Sequence, residues 1–244
     1  MRRIYGRKCS LSLMLDGFSS VAFPYCEETI REAVSGYFLP SALEGNRKSA
    51  FFATGSEITG CFITRLDDEC AMPLLSLMEP GKKRFTLIQD HVCKKKKYTG
   101  VFCKTFSIFA EHGKAVYLKC EVGGDRLSKA ADTEEDCSNK TFLFNGKEVF
   151  ADGNRLPQVY RIELKGNLEK NSGYELLLYS PLSFEFFPCL NKIETITVPL
   201  NLEKSVFIEL NGLIPAHDLC DINCADSILS ARRFFVGGKI QMVY

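Results

Sequence analysis

Between residues 158 and 213 apolar and polar side chains alternate with a period of two, and this alternation constrains the fold more than any other feature of the chain. Val159-Tyr160-Arg161-Ile162-Glu163-Leu164-Lys165 places Tyr160, Ile162 and Leu164 on one side and Arg161, Glu163 and Lys165 on the other. Gly166, Asn171 and Gly173 interrupt the run. Segments 174–179, 184–187, 193–200 and 206–210 then follow as further short strands with turn residues between them. A period of two implies one buried and one wet face, the pattern of an antiparallel sheet packed on one side.

Upstream, Glu27-Glu28 and the spacing of Ile30, Val34, Tyr37 and Phe38 predict an amphipathic helix ending at Pro40. Segments 49–54 and 57–66 read as a hairpin turning at Gly55-Ser56, and 71–78 as a short helix in spite of Pro73. Segments 84–92 and 101–109 read as strands. A turn at Glu111-His112-Gly113 leads into 115–122, with Val116, Leu118, Cys120 and Val122 on the inner face. Residues 123–140 are polar and acidic, which predicts a surface loop or linker. Asn145-Gly146 predicts a type I′ hairpin over 141–150, because both central positions of that turn need positive φ. Asp152-Gly153-Asn154 turns the chain again. Residues 217–233 read as helical, and Gly237-Gly238 as a closing hairpin. The expected fold is mainly β: antiparallel sandwich or barrel-like sheets with two or three short helices. Its expected division is a lobe at 1–122, a linker at 123–140 and a meander at 141–244, or one continuous domain.

The 244 residues include 19 Phe and carry a net charge of +1, so global charge argues neither for nucleic acid nor for a membrane. No run is long enough to span a bilayer. The apolar stretch after Arg2, Arg3, Arg7 and Lys8 is diluted by serines and stopped by Asp16, so it reads as a first strand with Leu11, Leu13 and Leu15 inward rather than a secretion signal. The eleven cysteines, an odd number, are then expected to be reduced, in a cytoplasmic or nuclear protein.

Three constellations carry chemistry. Asp152 with Glu163-Leu164-Lys165 has the form of the PD-(D/E)xK nuclease motif, in which two carboxylates hold a cation and a lysine orients water. The preceding proline is replaced by Ala151, and a charged wet strand face explains the same residues more simply. His217, Cys220 and Cys224 would share one face of a helix as metal ligands, without an evident fourth. Lys82-Lys83-Arg84 and Lys94-Lys95-Lys96-Lys97 flank one strand, and would form one phosphate-binding patch if a bend brought them together. The four-lysine run also fits a nuclear-import signal. With no acid–base or nucleophile constellation above background, the expectation is a non-enzymatic intracellular protein that binds a macromolecular partner and needs no cofactor. A protein partner is favoured, with nucleic acid reachable through the basic clusters. A metal-dependent nuclease and a nucleic-acid-associated clamp are the alternatives. The surfaces expected to make contact are the 123–140 loop, the lysine clusters and an edge strand able to accept a partner strand.

Overall fold

The computed structural model describes residues 9–16, 20–23, 25–40, 49–78, 83–91, 95–124, 126–128, 141–156, 159–169, 174–180, 195–201, 207–211, 213–214, 220–223 and 228–235. In chain order the elements are β1 (Ser10–Met14), β2 (Val21–Phe23), β3 (Tyr25–Glu28), β4 (Arg31–Pro40), β5 (Ser49–Arg65), α1 (Ala71–Ser76), β6 (Phe85–Asp90), β7 (Lys95–Glu111), β8 (Tyr117–Gly124) and β9 (Arg126–Ser128). A 3₁₀ turn, Gly146–Glu148, precedes β10 (Phe150–Ala151), β11 (Asn154–Arg155), β12 (Arg161–Asn167), β13 (Tyr174–Ser180), β14 (Thr195–Pro199), β15 (Phe207–Asn211), β16 (Leu213–Ile214), β17 (Cys220–Asn223) and β18 (Ile228–Phe235). The fold is mainly β and antiparallel. Strands β10, β11, β14 and β15 form a four-stranded sheet, and the other fourteen belong to a larger one.

Strand β7 is the spine of the larger sheet. One of its edges carries β6 and then β12; the other carries β9 and then β8. Its buried residues run Tyr98, Val101, Cys103, Phe106, Ile108, Ala110. The spacing of two slips to three twice, between 98 and 101 and between 103 and 106. The pairing with β6 shifts between Phe85 and Leu87, beside the first slip, and the pairing with β8 shifts between Cys103 and Thr105, at the second. An extra residue in one strand resets the pleat, so the inward face stays apolar from Tyr98 to Ala110.

The β7–β8 hairpin forms as expected, and Val116, Leu118, Cys120 and Val122 are buried. Leu11, Leu13 and Leu15 also point inward. The short helix exists as α1: Asp67 accepts from the Cys70 and Glu69 backbone N–H groups at its start, at 2.8 and 3.1 Å. Pro73 sits in its first turn, where a missing N–H costs nothing. One buried cluster joins residues from Leu11 to Leu210, with members from both sheets and from α1. Cys9, Cys26, Cys61, Cys70, Cys103 and Cys120 are free thiols.

Several expectations are corrected. Residues 31–40 form β4, not a helix. Ile30, Val34 and Phe38 fit helical spacing, but steps of four fit a strand face equally. With Gly36 inside and β-branched and aromatic residues around it, cross-strand pairing decides. Gly55-Ser56 does not turn; β5 runs straight through, with Gly55 opposite Ser35. Among the described residues 217–233, β17 and β18 replace the expected helix. The described helical elements are therefore α1 and the 3₁₀ turn alone, fewer than the two or three helices expected.

The primed turn is also displaced. Asn145 has φ −106° and its side chain accepts from the Lys147 backbone N–H, so 141–150 is no two-residue hairpin. Thr141 and Leu143 instead bridge to Asp67 and Ala115. Gly146 is required by closeness: a Cβ there would stand 1.8 Å from the Val159 carbonyl oxygen. Positive φ at both central positions occurs at Asp152 (47°) and Gly153 (77°), which close β10 onto β11. Gly166 does not break β12. It pairs within the strand, and the Phe106 ring lies where its side chain would be. The expected loop begins late, because 123–124 belong to β8 and 126–128 pair with β7. Residues 129–140, 184–187 and 237–244 lie outside the described set.

Candidate functional site

The feature of this fold that its core does not explain is the outer part of the β4–β5 ribbon. Its base is fastened tightly. The Thr29 backbone N–H donates to the Cys61 carbonyl at 2.9 Å, and the Cys61 N–H donates back to Thr29 Oγ1 at 3.1 Å. Gly60, at φ 146°, passes beneath: a Cβ there would come within 2.6 Å of Ile30 Cα and the Thr29 oxygen. Glu28 accepts from the Ile30 N–H and pairs with His91 Nε2 at 3.3 Å. The buried Tyr98 hydroxyl lies 3.1 Å from Gln89 Oε1 and 3.4 Å from the Ile30 carbonyl oxygen. Burial, with the nearby charges of Glu28 and Glu32, pushes the Tyr98 pKa up to about 12.

Beyond this base the ribbon leaves the core. Arg31, Glu32, 34–37 and 53–57 are exposed, on successive residues and hence on both faces. Val34 is 53 % and Tyr37 52 % accessible. Among the described residues β4 pairs only with β5. The register sets Tyr37 opposite Phe52 and Phe38 opposite Phe51. Residues 33–40 and 49–56 contain no charged residue at all. Exposed edge strands normally carry lysines, bulges or other guards against pairing. This one has a register shift at Ser35/Gly36 and Pro40 at its end.

The residues singled out from sequence fall as follows. Glu163 lies on β12 and is buried, against the expectation of a wet face. Arg161 bonds it directly, Lys165 Nζ is 3.2 Å from its other oxygen, and the Tyr179 hydroxyl is 3.4 Å away. Arg161 also stacks over the Tyr179 ring at 5.1 Å. The long cationic stems cover that side of the sheet. Tyr160, expected inward, is exposed, and its hydroxyl donates to Glu111 at 2.6 Å. Asp152 belongs to the four-stranded sheet, and its carboxylate accepts from the Thr195 N–H at 2.7 Å. So Glu163 and Lys165 meet, while Asp152 is engaged at a turn of the other sheet.

Arg84 donates to the Gly100 carbonyl at 3.0 Å and lies over the Phe102 ring, at the start of β6. Lys95, Lys96 and Lys97 pair with Asp90, Gln89 and Ile88 at the far end of β6, and Lys95 bridges to Asp90 at 3.1 Å. About 20 Å of strand separates the two groups. Lys83 is exposed beside Arg84; Lys82 and Lys94 lie outside the described residues. Cys220 is in β17 opposite Ala231, while His217 and Cys224 are not among the described residues. No group of three His, Cys, Asp or Glu suited to a metal ion occurs among the described residues. No helix among them is long and apolar enough to cross a membrane.

The sequence pattern does not reveal the ribbon as a unit, because it reads one strand as a helix ending at Pro40 and the other as a hairpin over 49–66. The uncharged composition of 33–40 and 49–56 was the signal that would have found it. The fold defines an antiparallel β-sheet protein with a projecting two-stranded arm. The chain matches no protein-family model and no curated protein.

Proposed function

We propose that this chain is a non-enzymatic binding protein that takes an extended segment of a partner protein onto the outer edge of β4. The supporting observation is the arm: two long paired strands, exposed on both faces over 34–37 and 53–57, without charge over 33–40 and 49–56, and with Val34 and Tyr37 outward. A two-stranded ribbon is marginal alone in water, and a third strand both satisfies its backbone edge and covers its apolar face. The occupant is a strand of alternating apolar and neutral polar residues, because a charged one would find no counter-charge over 33–40 and 49–56. Behind the arm, the four-stranded sheet stacks on the larger one as a sandwich, a reading supported by their shared buried cluster. The free thiols of Cys9, Cys26, Cys61, Cys70, Cys103 and Cys120 support a reducing compartment, cytoplasm or nucleus.

The test is selection of extended peptides from a display library, followed by NMR mapping of the winners. Shifts confined to β4 and β5, abolished by Val34→Lys with Tyr37→Lys in a still-folded protein, are expected. Peptides that bind elsewhere, or that ignore both lysines, overturn the reading.

A further inference from the structure

The register within the arm bears on which strand its edge accepts. Ser35 pairs with Gly55 and Gly36 with Ala53, so Thr54 has no residue opposite it. The extra residue is therefore in β5, and β4 keeps an unbroken period of two from Arg31 to Pro40. A bulge guards an edge when it interrupts the strand that lies there. Here it interrupts the inner strand, and among the described residues β4 pairs only with β5. The outer edge of β4 thus presents backbone N–H and C=O groups at regular alternate residues. The Ser35 hydroxyl is turned toward β5, donating to the Gly55 carbonyl at 3.2 Å.

We propose that the strand taken up by this edge is β4 of a second copy of the chain, paired antiparallel about a two-fold axis at Gly36. The inference rests on the arm accepting a strand, and it names the partner. The stretch 33–39 contains only apolar and neutral polar residues, which is the composition the arm calls for. A two-fold axis perpendicular to a sheet reverses the strand and keeps each side chain on its own face. It must therefore pass beside a residue that faces its own mate. Gly36 is the midpoint of 33–39. About that axis Ala33 is set opposite the partner's Leu39, Val34 opposite the partner's Phe38 and Ser35 opposite the partner's Tyr37. Glu32 falls opposite the partner's Pro40, which has no N–H to give, so pairing stops where charge begins. Moving the centre to Ser35 would set Glu32 against the partner's Phe38. The joined ribbons make a four-stranded antiparallel sheet, past the three strands that an exposed sheet needs. One strand from each copy is a contact of the small, transient class, so the dimer forms as concentration rises.

Light scattering on the native chain over rising concentration is expected to show the mass climbing from one chain toward two. In a mixture of isotope-labelled and unlabelled copies, NOEs between copies are expected from Val34 to the partner's Phe38. Val34→Lys with Tyr37→Lys, in a protein whose amide spectrum shows it folded, should hold the mass at one chain. A native chain that stays monomeric at every concentration while selected peptides bind β4 overturns this inference and leaves the arm's proposed role standing. A dimer whose contacts between copies lie away from β4, or one that keeps its mass in the folded lysine variant, overturns it as well.

Discussion

The outer arm and the middle of β7 are made of the same thing, long antiparallel strands rich in aromatic and β-branched residues, and they differ in what covers them. In β7 every inward residue from Tyr98 to Ala110 is buried, and two register shifts keep the pleat in phase with the core. In the arm the register also shifts, between Ser35 and Gly36, but both faces there are exposed. A strand's apolar content therefore says that something must cover it, and only the topology says whether the cover is internal.

Removing a core ring should separate the two regions most. Phe106 packs on Tyr174 with ring centres 5.8 Å apart and fills the space left by Gly166. Phe106→Ala should cost about 3–5 kcal/mol by cavity formation, read as a fall in the urea midpoint. If it costs no more than an arm substitution, the spine is not the core.

Tyr98 tests the join between the regions. Its pKa is raised in the fold, from the ordinary 10 to about 12. The unfolded chain therefore loses this proton first as pH rises. The stabilisation is whole below about pH 10 and falls away through pH 12, by roughly 2–3 kcal/mol. Urea unfolding at stepped alkaline pH should show this slope, and Tyr98→Phe should flatten it. An unchanged slope in that variant would assign the alkaline loss to other groups.

Gly60→Ala should cost about 2 kcal/mol, because φ 146° disfavours a side chain and the Ile30 backbone occupies its place. The damage should be local, with faster amide exchange at Thr29 and Ile30 than in β7. Uniformly faster exchange would mean that the arm's base and the spine unfold as one unit.

The sequence made the body legible and the arm illegible for one physical reason. In 115–122 inward and outward residues differ in polarity, so the period of two is visible. In 31–37 both faces are exposed, and in 31–40 apolar residues fall on alternating and non-alternating positions, so the period is ambiguous and a helix fits as well. Glu163 failed differently. Alternation placed it correctly opposite Ile162 and Leu164, but nothing local reveals that Arg161, Lys165 and Tyr179 close over it. The contacts of His91 with Tyr25 and Glu28 join the end of β6 to β3, beyond the reach of any local motif.

The smallest expected effect carries the comparison furthest. Val34→Ala and Tyr37→Ala remove exposed side chains, so each should change stability by about 0.5 kcal/mol or less. Both should nevertheless weaken a bound extended peptide, Tyr37→Ala the more, because a large aromatic contributes most where water is excluded on binding. Stability is read from urea midpoints and affinity from titration calorimetry on the same samples. If Tyr37→Ala destabilises the free protein by as much as Phe106→Ala, that side chain already has an internal cover, and the arm is an extension of the core rather than a surface waiting for a strand.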